Sequence, residues 1–392
     1  MTKSSKTPHM IIPFLFLLIP DAIWAEAYDL QALPTEHKMI TDPKTGAELT
    51  FLTTDPAQDT NFYFHERSWL VDGSLILFTS DRADGGLMGY IVETGELVRI
   101  TTPTGGLGGA TAAVNRPSVY AQRGEDVVEL TLSIDISSDV KQTPSKVMAS
   151  ERIICAVPGR TTALNENADG TKLAFGVSGP AIVVIDIQTG EVRELCRLAD
   201  PPGYGGHVQW SHTDPNLLSF AGRENRLWVV DIRDGKPRNI YPQVADELVT
   251  HEHWWVDDQM VFCGGLHPKP TEDAHVKVIN IYTGVVRILG AGAWWPGATD
   301  EEIAKLNFWH CSGSDDGRWV AADNWYGDIT LFEGKTTRPH ILTEGHRTYG
   351  SGVHPHVGWD RKGKQVIFTS HILGDPNVCV ATIPQEWQDA NP

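Results

Sequence analysis

The stretch Asp169-Gly170-Thr171-Lys172-Leu173-Ala174-Phe175-Gly176-Val177, followed by Ala181-Ile182-Val183-Val184-Ile185-Asp186-Ile187-Gln188-Thr189-Gly190, decides the fold. A tight Asp-Gly turn leads into a short run of β-formers, and a second run ends in a polar turn closed by glycine. Such a unit is an antiparallel hairpin. It returns along the whole chain. Val71-Asp72-Gly73 precedes Leu75 to Phe78, Asp214-Pro215 precedes Leu217 to Phe220, and Asp257-Asp258 precedes Met260 to Phe262. Asp316-Gly317 precedes Trp319 to Ala321, and Lys362-Gly363 precedes Val366 to Phe368. The spacing of roughly 40–50 residues is that of propeller blades. Six units are plain, and a degraded one fits between Ala112 and Ser133. The expected fold is therefore all-β, a seven-bladed β-propeller. Helical periodicity is nearly absent; Asp300 to Leu306 has room for one short turn. Closure of the ring predicts contact between the segment around Phe51 and Val378-Cys379-Val380, which removes the exposed strand edges.

No linker or low-complexity stretch divides the chain after its first residues, so residues 28–392 read as a single propeller domain. Residues 1–27 read as a signal peptide. Lys3 and Lys6 give a positive start, Met10 to Ile19 an apolar run, and Ala25-Glu26-Ala27 small residues for cleavage. The run is too short to span a bilayer, and none longer follows, so the expectation is an exported protein that does not span the membrane. The net charge of −18 argues against nucleic acid as a partner. It leaves an acidic substrate open, because clustered arginine, histidine and metal reverse the sign locally. The five cysteines form no C-x-x-C pair, and buried structural thiols are the default reading.

Placed on the repeat, the histidines fall into register. His65, His207, His251, His310 and His356 each lie seven residues before Asp72, Asp214, Asp258, Gly317 and Gly363. Equivalent places on successive blades form a ring at one end of the central channel, because the innermost strands surround it. A single such histidine is more often a hydrogen-bonded packing residue; five at one register favour a site. In His354-Pro355-His356 the two imidazoles, two apart on a strand, reach one point, and His310 supplies a third nitrogen. Three imidazoles suit Zn, Mn, Fe, Ni or Cu. His37, His267, His275 and His340 read as solvated surface groups, and His212, His346 and His371 as packing or surface residues. Trp254-Trp255 and Trp294-Trp295 are candidate sugar-facing platforms, with inter-blade packing as the alternative.

Thr250-His251-Glu252-His253-Trp254, Asn307-Phe308-Trp309-His310 and Val353-His354-Pro355-His356 resemble the site motifs of oligogalacturonate lyases. Thr41-Asp42-Pro43-Lys44-Thr45-Gly46 and Tyr63-Phe64-His65 resemble that family's opening segment. The likeness runs from about Thr41 to Pro384. It implies cleavage of short uronic-acid oligomers by β-elimination, with a divalent metal, manganese above all, on His310, His354 and His356. It further implies His251 as the proton-abstracting base and Arg226 as the essential arginine. The family's glutamine ligand falls at Ser351, a departure that bears on metal affinity and on substrate.

That chemistry is sound in itself: the C5 proton of a uronate is weakly acidic, a cation at the carboxylate lowers the cost of its removal, and neutral imidazole accepts it near pH 7. His65, His207, Arg226 and Trp254 are the candidate substrate contacts. His253 is the second-choice base, since strict alternation puts it on the face of His251. The alternatives are the same mechanism on a glucuronate-containing glycan, and a non-catalytic propeller that binds glycans or proteins with structural histidines.

Overall fold

The computed structural model describes residues 25–82, 85–198, 206–266, 275–290, 307–346 and 353–390. The hairpins assemble into seven antiparallel blades. Their innermost strands are Asp59–Asn61, Gly108–Ala112, Asn165–Glu166, Gly206–Trp210, Glu247–Trp254, Phe308–Gly313 and Gly358–Trp359, numbered here as blades 1 to 7. Each is followed by the strand that the repeat placed after the turn, as with Leu75–Ser80 and Lys172–Val177. Blade 2 was faint in the sequence because it has outgrown the repeat. Its two outer strands, Asp126–Asp135 and Lys146–Ala156, are 10 and 11 residues long. Tyr28–Leu33 lies between them and blade 1, pairing with Lys146–Ala156 on one side and Leu97–Ile100 on the other.

Closure occurs where the sequence placed it. Glu48–Phe51 pairs with Asn377–Thr382, with Phe51 opposite Cys379, so blade 7 is built from both ends of the chain. The apolar core is a ring of inter-blade layers. Phe51, Leu331 and Phe368 fill one between blades 6 and 7; Phe262, Met260 and Leu227 fill one between blades 4 and 5. Large side chains are thus used up between blades, and the inner strands are left to carry polar groups. The five cysteines are unpaired, Cys155 half-buried and the other four buried, as expected of structural thiols. Met10 to Ile19, Asp300 to Leu306, His267, Trp294-Trp295 and Ser351 lie outside the described residues. No helix among the described residues is long and apolar enough to cross a membrane.

One buried chain of hydrogen bonds ties the closing segment down. Ser370 donates to His346 Nδ1 at 2.8 Å, His346 Nε2 donates to Thr343 at 2.7 Å, and Thr343 donates to Asp42 at 2.5 Å. The Ser370 bond needs the Nδ1 lone pair and so a neutral His346, and burial pushes its pKa down to about 4. Burial opposes the Asp42 charge, yet the Thr343 hydroxyl and the amides of Thr45, Glu344 and Lys44 hold its pKa at about 2. The two groups titrate in separate windows. An unfolded histidine protonates near 6.5 and the folded one near 4, so the His346 contribution is complete above pH 6.5 and is lost as pH falls towards 4. That contribution is about 3 kcal/mol. Equilibrium unfolding of His346→Gln should lessen the pH slope between 4 and 6.5, leaving the share that the other buried histidines contribute. An unchanged slope would place the responsible group elsewhere.

Candidate functional site

The ring of histidines owes its shape to backbone irregularity. The innermost strands of blades 4, 5 and 6 shift register at Gly206/Gln209, Thr250/His253 and Phe308/His310. His207 and His251 adopt φ of 53°, and His356 49°, in the left-handed region. Three of the six non-glycine residues with positive φ among the described residues are therefore ring histidines. Such backbone costs of order 1–3 kcal/mol per residue, and bulges re-aim side chains. The neighbouring fold holds it in place: Asn61 Nδ2 donates to the His356 carbonyl at 2.6 Å, and Asn61 Oδ1 accepts from Thr369 at 2.6 Å.

The bulge overturns the alternation argument for His253. His251 turns towards blade 6, its ring 4.1 Å from that of His310. His253 turns the other way, 4.9 Å from the His212 ring and stacked on His65 at 6.1 Å. The extra residue in the strand puts the two histidines on different faces, so His253 is not an alternative base at the His251 position.

His310, His354 and His356 converge, with one ligand nitrogen from each within 4.8 Å of the others. Burial lowers the pKa of all three, to about 3 at His356, which keeps the imidazoles neutral and their lone pairs available. Asp323, fully buried, accepts from His310 Nδ1 at 2.9 Å and from the His310 amide at 2.7 Å. That bond leaves Nε2 as the free nitrogen and fixes the ring, the arrangement that carboxylates give metal-binding histidines. Burial raises Asp323 to about 7. The donor set fits a divalent cation of the imidazole-preferring kind.

Beside this trio lies a second group. Glu252, fully buried, accepts from Arg226 Nε at 2.7 Å and has its other oxygen 3.3 Å from His207 Nδ1. Burial opposes its ionisation, but Arg226 and His207 hold the carboxyl well below the usual range. Arg226 Nη2 also donates to His207 Nδ1 at 2.9 Å. The other His207 nitrogen, Nε2, lies 3.4 Å from the Tyr63 oxygen. The Tyr63 ring lies 4.8 Å from His356 and 5.4 Å from His207, at the middle of the ring. Burial raises the Tyr63 pKa, so the phenol keeps its proton.

Two expected substrate contacts are misplaced. Trp254 is fully buried between blades 4 and 5, its indole N–H donating to the Gln209 carbonyl at 3.2 Å. Trp255 is likewise sealed between blades 5 and 6. His65 is buried, with Nε2 2.9 Å from the Glu252 carbonyl, and supports the ring from beneath. The aromatic surface at the site comes instead from half-buried Trp309 and Trp325, whose rings are 4.7 Å apart, with Trp309 5.1 Å from His251. His340 is no surface group either; it pairs with Glu333 at 2.8 Å and packs on Trp387 at 4.7 Å. His346, expected to pack, is fully buried.

No protein-family model matches the chain. It is 20% identical to an oligogalacturonide lyase of Pectobacterium atrosepticum, over 90% of this chain and 97% of that protein. It is 21% identical to an oligogalacturonate lyase of Dickeya dadantii, over 88% and 96% respectively. Among solved structures it is similar to an oligogalacturonate lyase in complex with manganese, with TM-score 0.71, 19% identity and 91% and 98% coverage. It is also similar to an oligogalacturonate lyase from Vibrio parahaemolyticus, with TM-score 0.69, 18% identity and 94% and 100% coverage. The propeller fold is thus shared, and the resemblance read from the motifs extends over nearly the whole length of these proteins.

Proposed function

We propose that this chain is a metal-assisted lyase that cleaves short uronic-acid oligosaccharides, oligogalacturonate first, by β-elimination. The observation that carries the reading is the convergence of His310, His354 and His356 within 4.8 Å, with the His251 ring 4.1 Å from His310. Whole-chain similarity to two curated lyases supports it.

His310, His354 and His356 would hold a divalent cation, with Mn²⁺ favoured by the manganese-bound relative. Such a cation, when bound, neutralises the uronate carboxylate and makes the C5 proton easier to remove. His251 accepts that proton. Burial and the neighbouring His310 keep His251 neutral, and a neutral ring has the lone pair a base needs. As the C4–C5 double bond forms and the C4–O bond breaks, the leaving oxygen takes a proton from Tyr63. Tyr63 is held for this beside His207, its oxygen 3.4 Å from Nε2. Replacement by phenylalanine should lower kcat about 10²-fold with KM little changed; equal losses of binding and turnover would reduce Tyr63 to a packing role.

Arg226 faces the substrate carboxylate while its other N–H groups engage Glu252 and His207. Arg226→Ala should weaken substrate binding as well as turnover. It should also destabilise the fold by about 3–5 kcal/mol, because it leaves Glu252 as an unpaired buried charge. The double variant Arg226→Ala/Glu252→Gln should recover most of the stability without recovering activity. Recovery of both would make Arg226 a purely structural group.

The test of the reaction is incubation with a panel of uronic-acid oligomers and Mn²⁺, read at the absorbance of the unsaturated product. No product from any uronate would leave a binding module. Ser351, where the family resemblance places a glutamine, favours one second reading: the same chemistry on a glucuronate-containing glycan. Export, read from residues 1–27, belongs to the same proposal, and N-terminal sequencing of the mature protein tests it.

A further inference from the structure

The histidine trio, the base and the arginine act on one carboxylate and one C5 proton, which accounts for a single sugar. A uronic-acid chain brings neighbours, and blade 6 carries a feature that none of those roles uses. Phe308 pairs with Asn324 and His310 with Asp323, so Trp309 is the residue that the bulge inserts. Phe308 enters the inter-blade core against Phe332. Trp309 does not; its ring lies 5.1 Å from that of His251. Trp325 follows the strand Trp319–Asn324, which returns to the same end of the blade, and its ring is 4.7 Å from that of Trp309.

The turn that carries Trp325 is pinned from within. Asn324 Oδ1 accepts from the Tyr326 and Asp328 amides, both at 2.9 Å, and Asn324 Nδ2 donates to Asp328 at 3.0 Å. Asp328 accepts in turn from the Gly345 amide at 2.8 Å, and Asn324 and Asp328 are both buried. Trp210, Trp254, Trp255 and Trp319 are fully buried, whereas Trp309 and Trp325 are half-buried. An indole held in one place at a site loses little freedom when a ligand packs on it.

The position also sets a direction. Tyr63, the proton donor to the oxygen leaving C4, lies at the middle of the ring. Trp309 belongs to the innermost strand of blade 6 and Trp325 to the turn joining its next two, so the pair runs outward from His251. C1 and C4 stand at opposite ends of a pyranose. With C4 at Tyr63, C1 faces outward, to the tryptophans.

We propose that Trp309 and Trp325 form a platform for the apolar face of the sugar attached through C1 of the reacting uronate. The direction rests on the lyase reading; the stacking rests on the placement of the two rings. A dimer cleaved at its one linkage does not reach the platform, and a trimer does, so the protein prefers three linked uronates to two.

Trp325→Ala tests this, since Trp309 adjoins a metal-binding histidine in sequence. With galacturonate dimer and trimer and Mn²⁺, the substitution should lower the trimer-to-dimer ratio of kcat/KM about 10-fold. Trp325→Phe keeps a flat apolar face and should restore most of the ratio, with unfolding midpoints measured alongside. Calorimetric titration in the His251→Ala background reads binding without turnover, and Trp325→Ala should there weaken the trimer about 10-fold more than the dimer. Equal losses for both lengths, or an unchanged ratio, overturn the platform and leave the lyase reading standing. A length-dependent binding loss in a protein that yields no unsaturated product supports the platform and overturns the lyase reading. Neither turnover nor length-dependent binding overturns both.

Discussion

His251→Ala is expected to cut kcat by about 10²–10⁴-fold, the worth of a positioned general base, with bound metal unchanged. Three features assign the role to this residue. Its ring lies beside the His310 face of the trio without belonging to the convergent set. Its left-handed backbone aims it out of the strand's regular alternation. Its Nδ1 is 3.0 Å from the Thr250 hydroxyl, so one nitrogen is held and the other remains for the substrate. A metal-bound imidazole has no lone pair left for a proton, and the base must therefore be a separate histidine. The measurement is a pair: kcat on the preferred uronate, and metal content of the same preparation. Near-native turnover would disqualify His251. Loss of metal with loss of turnover would make it a fourth ligand. His253 is no fallback, since the bulge at Thr250/His253 sends it to the other side.

The path from residue to site was legible where it depended on spacing, and failed where it depended on local backbone. The hairpin period and the seven-residue histidine register survive any distortion inside a strand, so blade number, ring closure at Phe51 and the common end of the histidines follow from counting. Which way each histidine points does not. One extra residue in a strand reverses the facing of all that follow, and nothing in Thr250-His251-Glu252-His253 announces a bulge. The tryptophans fail for another reason. An indole suits a sugar face and an inter-blade layer equally, and only the assembled neighbours show Trp254 sealed and Trp309 half-open. Glu252 had a signal that went unused: a carboxylate on a strand that must be buried needs a cation nearby, and Arg226 is that cation. Tyr63 stood in the Tyr63-Phe64-His65 segment of the resemblance but was given no role, because a tyrosine beside two other aromatic residues reads as core.

Replacing His310, His354 and His356 together by alanine should abolish divalent-metal binding and reduce turnover to background, with no rescue by excess Mn²⁺. The expectation rests on the donor set. Single removal leaves two imidazoles and solvent, which weakens binding, whereas triple removal leaves none of the three converging nitrogens. The triple variant also deprives Asp323 of its side-chain partner, but Asp323 still accepts from the amide of residue 310 and its raised pKa lets it become neutral. The fold should therefore survive, and circular dichroism will show it. A second variant separates orientation from ligation. Asp323→Asn keeps all three imidazoles but loosens the ring that the carboxylate holds at 2.9 Å, and should cost about 10–100-fold in metal affinity. The two variants are measured by Mn²⁺ titration calorimetry and by the metal-dependent rise in unfolding midpoint, which follows from binding to the native state alone. Metal content in the triple variant equal to that of the unaltered protein would remove this site altogether. An unaffected Asp323→Asn would mean that His310 is held by its strand and not by the buried carboxylate behind it.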